Sequence, residues 1–128
     1  MPLVRIALRA GTPSATQRAI ADGVHQALIE TLGIPAADRF QLISEYRAEQ
    51  FLYDPSYLNI PRTEQLVMLQ ITISHGRSIE QKRALYRRIT QLLAERPGIR
   101  PEDVLINLIE VAKENWSFGQ GVAQYAPD

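Results

Sequence analysis

The chain has 128 residues, of which 45% are hydrophobic, enough for one compact core and therefore for a single domain. Its 14 Lys and Arg residues balance its 14 Asp and Glu residues, so it lacks the basic surface that would favour nucleic acid as a partner. Cysteine is absent and only two histidines occur, which excludes disulfides, thiolate sites and a three-histidine zinc centre; we expect neither metal nor cofactor.

The first element in chain order is a short apolar strand, Leu3–Leu8, which arginines interrupt before a signal-peptide core could form. No apolar run approaches the roughly 18 residues of a membrane span, so we expect a cytoplasmic protein without a membrane partner. A helix over Ser14–Leu32 follows, with a possible capping box between Ser14 and Gln17 and a stop at Gly33. Arg39–Glu45 is then predicted as a second strand.

The same order of elements returns in the second half of the chain. A strand over Leu66–Ile73 precedes a helix from Ser78 to about Glu95, which begins with a capping box between Ser78 and Gln81. Pro97-Gly98 ends that helix, and Val104–Val111 is predicted as the next strand.

Two tracts about 65 residues apart indicate that these halves are copies of one unit. Gly, Ile and Asp coincide when Gly33–Phe40 is aligned with Gly98–Leu105, and Glu45 then coincides with Glu110. Since each unit should join parallel strands through a right-handed crossover, we predict an α/β (α+β) fold: a four-stranded sheet with both helices on one face. The units span about 2–46 and 66–111, a loop covers 47–65, and a turn with a short strand, Val122–Tyr125, lies within 112–128.

The other face of this sheet has no local helix to cover it. One row of the strand Leu66–Ile73 is wholly apolar, whereas the opposite row mixes leucine and methionine with glutamine and threonine. Residues of other strands that are candidates for this mixed face are Arg5, Gln41 and Asn107. Other subunits commonly close such a surface, so we expect an oligomer. The aromatic loop 47–65 is either a functional or interface loop, or a cover over the core.

The first candidate for chemistry is Pro2, because the common catalytic motifs G-x-S-x-G and the P-loop are missing. Removal of Met1 before a small residue would leave Pro2 with a free secondary amine at the start of a strand. An α-amino group titrates near 8 and a secondary amine somewhat higher, and burial or a nearby cation lowers that pKa toward the range of a general base.

The second candidate is Arg77, which opens the second helix. The first unit has Thr12 or Pro13 at the equivalent place, so the repeated fold does not demand an arginine there. With the free N–H groups of the helix nearby, Arg77 could bind a carboxylate. Parallel neighbouring strands would separate Arg77 from Pro2 within one subunit.

Five tracts in order carry a family resemblance: Pro2-Leu3-Val4, Ile34–Gln41, Ile60–Thr63, Arg77–Lys82, and Pro101–Val104 with Asn115–Gly119. They resemble the tautomerase superfamily, in particular its malonate semialdehyde decarboxylase-like group, over nearly the whole chain. The resemblance implies two βαβ units in each subunit, a homotrimer, a small carboxylate substrate and catalysis by the amino-terminal proline.

The resemblance also implies roles for individual residues. Pro2 matches the catalytic proline, Arg77 the second active-site arginine and Asp38 the active-site aspartate, while Trp116 and Phe118 match the apolar wall near the proline. His75 stands where the decarboxylases have their first arginine and is taken as a substrate-binding residue. A neutral imidazole cannot make the paired contact of guanidinium with carboxylate, which puts decarboxylation in doubt.

Three functions stay open. The first is a keto–enol tautomerase for a small 2-oxo acid, with neutral Pro2 as general base and Arg77, helped by His75, holding the carboxylate. The second is a malonate semialdehyde decarboxylase or hydratase with cationic Pro2 and with Asp38 near the amine or a water. The third is a non-catalytic trimer that binds carboxylates or a protein. Asp38 also has a structural alternative, since Asp103 occupies the same place in the second unit, and His25 is expected to be structural.

Overall fold

Two strand–helix–strand units follow each other along residues 1–127, the part of the chain that the computed structural model describes. The elements are β1 (Leu3–Arg9), α1 (Ser14–Leu32), β2 (Phe40–Tyr46), β3 (Val67–Ser74), α2 (Ile79–Glu95) and β4 (Val104–Val111). Four short 3₁₀ turns lie at 48–50, 57–59, 101–103 and 113–115. The predicted fold, a four-stranded sheet with two helices, is confirmed.

The strand order is β2-β1-β3-β4, and each unit contributes a parallel pair, β1 with β2 and β3 with β4. Where the units meet, β1 and β3 are antiparallel, with Leu3 opposite Thr72. The expectation that parallel neighbours would separate Arg77 from Pro2 in one subunit is therefore wrong. Antiparallel pairing places the beginning of β1 beside the end of β3, so Pro2 and Arg77 lie at the same end of the sheet.

The core lies between the sheet and the two helices. Its strand residues are Val4, Ile6 and Leu8 of β1 with Leu69, Ile71 and Ile73 of β3, all nearly inaccessible. From the helices, Val24, Leu28, Leu85, Ile89 and Leu93 complete it. Gly23 lets the helices approach closely, since a Cβ there would lie 2.9 Å from Leu93 Cδ2. Neither helix within residues 1–127 is long and apolar enough to span a membrane.

The opposite sheet face is uncovered, as predicted, and it carries large apolar side chains. Those between 38% and 48% exposed on this face are Phe40, Leu42, Tyr46, Leu105 and Ile109. Arg5 and Asn107 lie in one row across it, in register with Gln70. Gln41 is a wrong assignment: it is paired with buried Val4, and its Nε2 donates a hydrogen bond to the Ala21 carbonyl of α1.

The helix starts differ from one another. Ser78 and Gln81 form the predicted capping box at α2, with both side-chain hydrogen bonds present. The box predicted at α1 is wrong, because Pro13 occupies the cap position and the Gln17 side chain instead donates to the Thr12 carbonyl and Glu45.

The segment after β4 forms turns, and the strand predicted over Val122–Tyr125 is wrong. Gln124 explains the difference: its side chain accepts a hydrogen bond from Phe118 N and donates one to the Gly119 carbonyl, which curls the segment back on itself. Asp128, the last residue of the range predicted for this segment, lies outside the described residues.

The loop 47–65 is partly a cover and partly exposed. Phe51 is buried and stacks on Tyr46 with ring centroids 6.1 Å apart, whereas Leu52 and Leu58 are exposed. Its far end is fixed by Asp103, a fully buried carboxylate that accepts hydrogen bonds from Thr63 N at 2.7 Å and Thr63 Oγ1 at 2.6 Å. Asp103 therefore ties the loop to the start of β4.

Asp103→Asn should lower the free energy of unfolding by about 2 kcal/mol, because an amide cannot accept both Thr63 hydrogen bonds as a carboxylate does. Urea denaturation measures the loss. The matched control is Asp38→Asn, the equivalent residue of the first unit, which should lose clearly less stability, because within residues 1–127 no residue like Thr63 donates hydrogen bonds to the Asp38 carboxylate. Equal losses in the two variants would contradict the structural role given to Asp103.

Candidate active site

The N-terminus lies at the sheet edge where β1 begins and β3 ends. Pro2 is buried directly before β1. The Asp38 carboxylate is only 11% exposed, and its Oδ2 lies 2.9 Å from the Met1 amino nitrogen. The structure thus brings the predicted aspartate to the amino terminus.

Asp38 differs from its repeat equivalent in its partners. Asp103 is fully engaged by Thr63. Apart from the ion pair with Met1, the buried Oδ2 of Asp38 has no partner among the described residues. Its carboxylate is therefore available to an amine or a substrate at the N-terminus, whereas that of Asp103 is not.

The tract before Asp38 is held by His25, a buried residue of α1. His25 Nε2 lies 2.8 Å from the Ala36 carbonyl oxygen, and Asp38 N donates to the Pro35 carbonyl at 3.0 Å. His25 is thus structural, as expected, and it fixes the turn from which the Asp38 side chain projects.

Arg77 follows β3 and is half-buried. Its Nη1 donates a 2.5 Å hydrogen bond to the carbonyl of Leu32, the last residue of α1, where helix carbonyls have no partner within the helix. One nitrogen is thereby anchored, and the remaining guanidinium N–H groups are left for other acceptors. His75, two residues earlier, is exposed, and its backbone N–H donates to the Val111 carbonyl at 2.9 Å.

The N-terminus and the loop after β3 line one groove of about 790 Å³, to which Met1, His75 and Arg77 all contribute. The remaining lining comes from the end of α1 and the tract after it, from α2 and from the C-terminal segment: Leu32–Pro35, Gln81, Lys113, Gln124 and Tyr125, together with Ile73, Ser74 and Gly76. Three lining side chains are basic, namely His75, Arg77 and Lys113, and none is an aspartate or glutamate. The groove therefore favours an anion.

Trp116 and Phe118, predicted as the apolar wall, stand behind the groove lining. Their rings are stacked with centroids 5.4 Å apart, and Trp116 Nε1 donates to Ser74 Oγ at 3.1 Å. Phe118 packs edge-on against Tyr125 at 4.9 Å, and Tyr125 is the aromatic residue that lines the groove. The predicted residues support the wall, and Tyr125 forms it.

Sequence reasoning missed Tyr125, Lys113 and Ser74. The sequence places Tyr125 in a strand. It packs against Phe118 only because the Gln124 hydrogen bonds, which depend on the fold, curl the segment back. Lys113 offered one signal, since it is one of only two lysines. Within residues 1–127, no group of three or more His, Asp or Glu side chains is arranged to hold a metal ion.

Comparison with known proteins identifies the family. A family model described as "Tautomerase enzyme" matches residues 38–119, and a second with the same description matches residues 2–59. The probable tautomerase YusQ of Bacillus subtilis (strain 168) is 41% identical over 124 residues, which cover 97% of this chain and 98% of that protein.

Solved structures agree with the family models. A malonate semialdehyde decarboxylase inhibited by 3-bromopropiolate is 39% identical, with a TM-score of 0.91 over 96% of this chain and 93% of that one. Another, studied for its decarboxylase and hydratase activities, is 33% identical, with a TM-score of 0.90 over 96% and 95%. A fused 4-OT symmetric trimer, 20% identical with a TM-score of 0.78 over 96% and 97%, shares the fold.

The chain belongs to the tautomerase superfamily, in its malonate semialdehyde decarboxylase-like group, and is an enzyme of the tautomerase type. The non-catalytic alternative is therefore set aside.

Trp116→Phe and Ser74→Ala should each lower the free energy of unfolding by about 1 kcal/mol, because each removes one partner of a part-buried hydrogen bond. The double variant should lose little more than either single one, since the same bond is lost. Circular dichroism in urea measures this, as Trp116 is the only tryptophan and fluorescence would be lost. Additive losses would contradict the pairing of these residues.

Proposed function

We propose that the enzyme is a keto–enol tautomerase for a small 2-oxo acid or its enol, with Pro2 as general base and both units acting as one domain. One observation carries the proposal: within a single subunit the N-terminus and Arg77 line one groove, whose lining contains basic but no acidic side chains. The Asp38 carboxylate lies against the N-terminus. No cofactor is required, since the reaction only relocates a proton.

The proposed reaction begins with the substrate carboxylate at Arg77, whose free N–H groups face no competing acid in the groove lining. The neutral Pro2 nitrogen takes the proton from the enol hydroxyl, and the resulting ammonium returns a proton to C3, which gives the keto form. Protons and charge balance without any co-reactant. Tyr125, which packs against Phe118, supplies the aromatic part of the groove lining.

The proposal requires that Met1 be removed. While Met1 is present, the Pro2 nitrogen belongs to an amide and has no basic lone pair, and the amine near Asp38 is that of Met1. After removal, burial of Pro2 and the neighbouring cations would lower the pKa of the proline amine, whereas the Asp38 carboxylate would raise it. Whether the cations or the Asp38 carboxylate lie nearer to the amine decides its pKa, and hence whether Pro2 serves as base or acid.

The second candidate function is decarboxylation or hydration of malonate semialdehyde with cationic Pro2. Two observations favour it: the similarity to malonate semialdehyde decarboxylases at 33% and 39% identity, and the position of Asp38 at the amino terminus, where a carboxylate stabilises an ammonium. His75 weighs against it, because only Arg77 offers a guanidinium among the groove-lining residues.

We further propose a homotrimer. The uncovered sheet face carries five large apolar side chains that are 38–48% exposed, a surface which a second copy of the chain could cover. Support for three copies comes from the fused 4-OT structure, a symmetric trimer with the same fold.

A nitrogen-15 NMR titration of the Pro2 amine, on protein whose mass shows that Met1 is gone, should give a pKa of about 6 to 7, as a general base near neutral pH requires. A pKa of about 9 or above would instead support the decarboxylase or hydratase function.

The variant Pro2→Ala, from which Met1 has likewise been removed, should lower kcat/KM for phenylpyruvate enol by about 100-fold. Turnover at the wild-type rate in this variant would rule out catalysis by Pro2.

His75→Arg should raise decarboxylation of malonate semialdehyde by about 10-fold or more, because a second guanidinium can make the paired carboxylate contact that imidazole cannot. Carbon dioxide release measures the change, and phenylpyruvate enol turnover is followed in parallel. His75→Gln, which places no charge there, is the control and should not gain decarboxylation. If His75→Arg alters neither activity, position 75 does not face the substrate.

A further inference from the structure

Beside the loop that carries His75 and Arg77 lies an ion pair that the proposed mechanism does not use. Lys82, in the first turns of α2, places its Nζ 2.6 Å from Glu110 Oε1, and the two side chains are only 24% and 34% exposed. Glu110 belongs to β4 and is in register with Ile73 of β3, just before the loop. The pair therefore joins α2, which follows the loop, to β4, the neighbour of the strand that precedes the loop.

The strand that carries Glu110 also bonds to the loop, since His75 N donates to the carbonyl of Val111, the next residue, at 2.9 Å. The hydrogen bond from Lys82 and a weaker one from the backbone N–H of Gly76 hold the pKa of Glu110 below its usual value. Gly76 has a φ of 116°, which side-chain-bearing residues rarely adopt, so the chain turns sharply at this position of the loop. Arg77 is the next residue.

The first unit contains the same arrangement without the ion pair. Glu45, the equivalent of Glu110, accepts hydrogen bonds from Gly11 N at 3.3 Å and Gln17 Nε2 at 3.1 Å. Gly11 likewise has a positive φ, of 93°. Gln17 and Lys82 occupy equivalent positions of the repeat, so the fold accepts an uncharged amide where the second unit has an ammonium. The cation occurs only beside the loop that carries Arg77.

We propose that Glu110 and Lys82 form a positioning pair that fixes the loop His75–Arg77, so that the Arg77 guanidinium is presented to the substrate carboxylate. The inference rests on the proposed function, which gives Arg77 that carboxylate. Neither Glu110 nor Lys82 lines the groove, so the pair acts through the loop and touches no substrate.

The pair has a distinct consequence for kinetics. Arg77 depends on its loop for placement, with one further hydrogen bond to the Leu32 carbonyl. Pro2 is placed independently by β1, which pairs with strands on both sides. Loosening the loop should therefore weaken carboxylate binding and leave the proton transfer at Pro2 largely intact.

The test compares Glu110→Gln and Lys82→Met with the wild type. Both variants should raise KM for phenylpyruvate enol, and the Kd for the unreactive acid 3-phenylpropionate, by about 5- to 10-fold, while kcat changes less than about twofold. Lys82→Arg keeps the cation, so its KM and Kd should stay at the wild-type values. Glu45→Gln is the matched control: it alters the equivalent contact at the other end of the sheet and should leave KM and Kd unchanged.

Hydrogen exchange of the backbone amides of residues 75–78 provides a readout that needs no turnover. Exchange should accelerate by about 10-fold in Glu110→Gln and Lys82→Met, and not in Glu45→Gln. Wild-type exchange and Kd in Glu110→Gln would overturn the proposal, as would an equal rise of Kd in Glu45→Gln. If the wild type shows no Pro2-dependent turnover but Glu110→Gln still loses affinity for 3-phenylpropionate, the tautomerase function fails and the positioning pair stands.

Discussion

The antiparallel pairing of β1 with β3 is the constraint on which the candidate site depends. Within each unit the crossover forces parallel strands, which separate the beginning of one strand from the loop that follows its neighbour. Only where the two units meet does Leu3 lie opposite Thr72, so that the N-terminus faces the loop after β3. The N-terminus of the first unit and Arg77 of the second thereby line one groove within a single subunit.

The duplicated unit shows which features belong to the fold and which to the chemistry. Gly33 and Gly98 both follow a helix with positive φ, and Gly11 and Gly76 both follow a strand with positive φ, so these features recur because the fold needs them. Asp103 is fully engaged by Thr63, whereas Asp38 reaches the amino terminus. Asp38 lies at the end of the sheet that holds the groove lined by Arg77, whereas Asp103 lies at the opposite end.

Much of the fold could be predicted from the sequence, because periodic apolar residues and the Gly-Ile-Asp repeat are local signals. The capping box at Ser78 was predictable for the same reason. The β1–β3 direction was not, since nothing in either strand records which partner edge it meets. Gln41 was misplaced because a polar side chain can lie on the helix side when a backbone carbonyl, that of Ala21, accepts its hydrogen bond.

The sequence offered candidates for part of the site, but none of the contacts between them. Pro2, Asp38 and Arg77 were assigned through the resemblance, yet the anchoring of Arg77 on the Leu32 carbonyl and the role of Tyr125 depend on distant segments meeting. That anchor bears on the chemistry of Pro2. An arginine held at the end of α1 cannot move freely to the amine, whereas the Asp38 carboxylate already lies against the amino terminus. Pro2 can therefore act as a general base only if burial and the groove cations lower the pKa of its amine by more than the Asp38 carboxylate raises it. The pKa of that one nitrogen is thus the property that separates the two enzymatic functions.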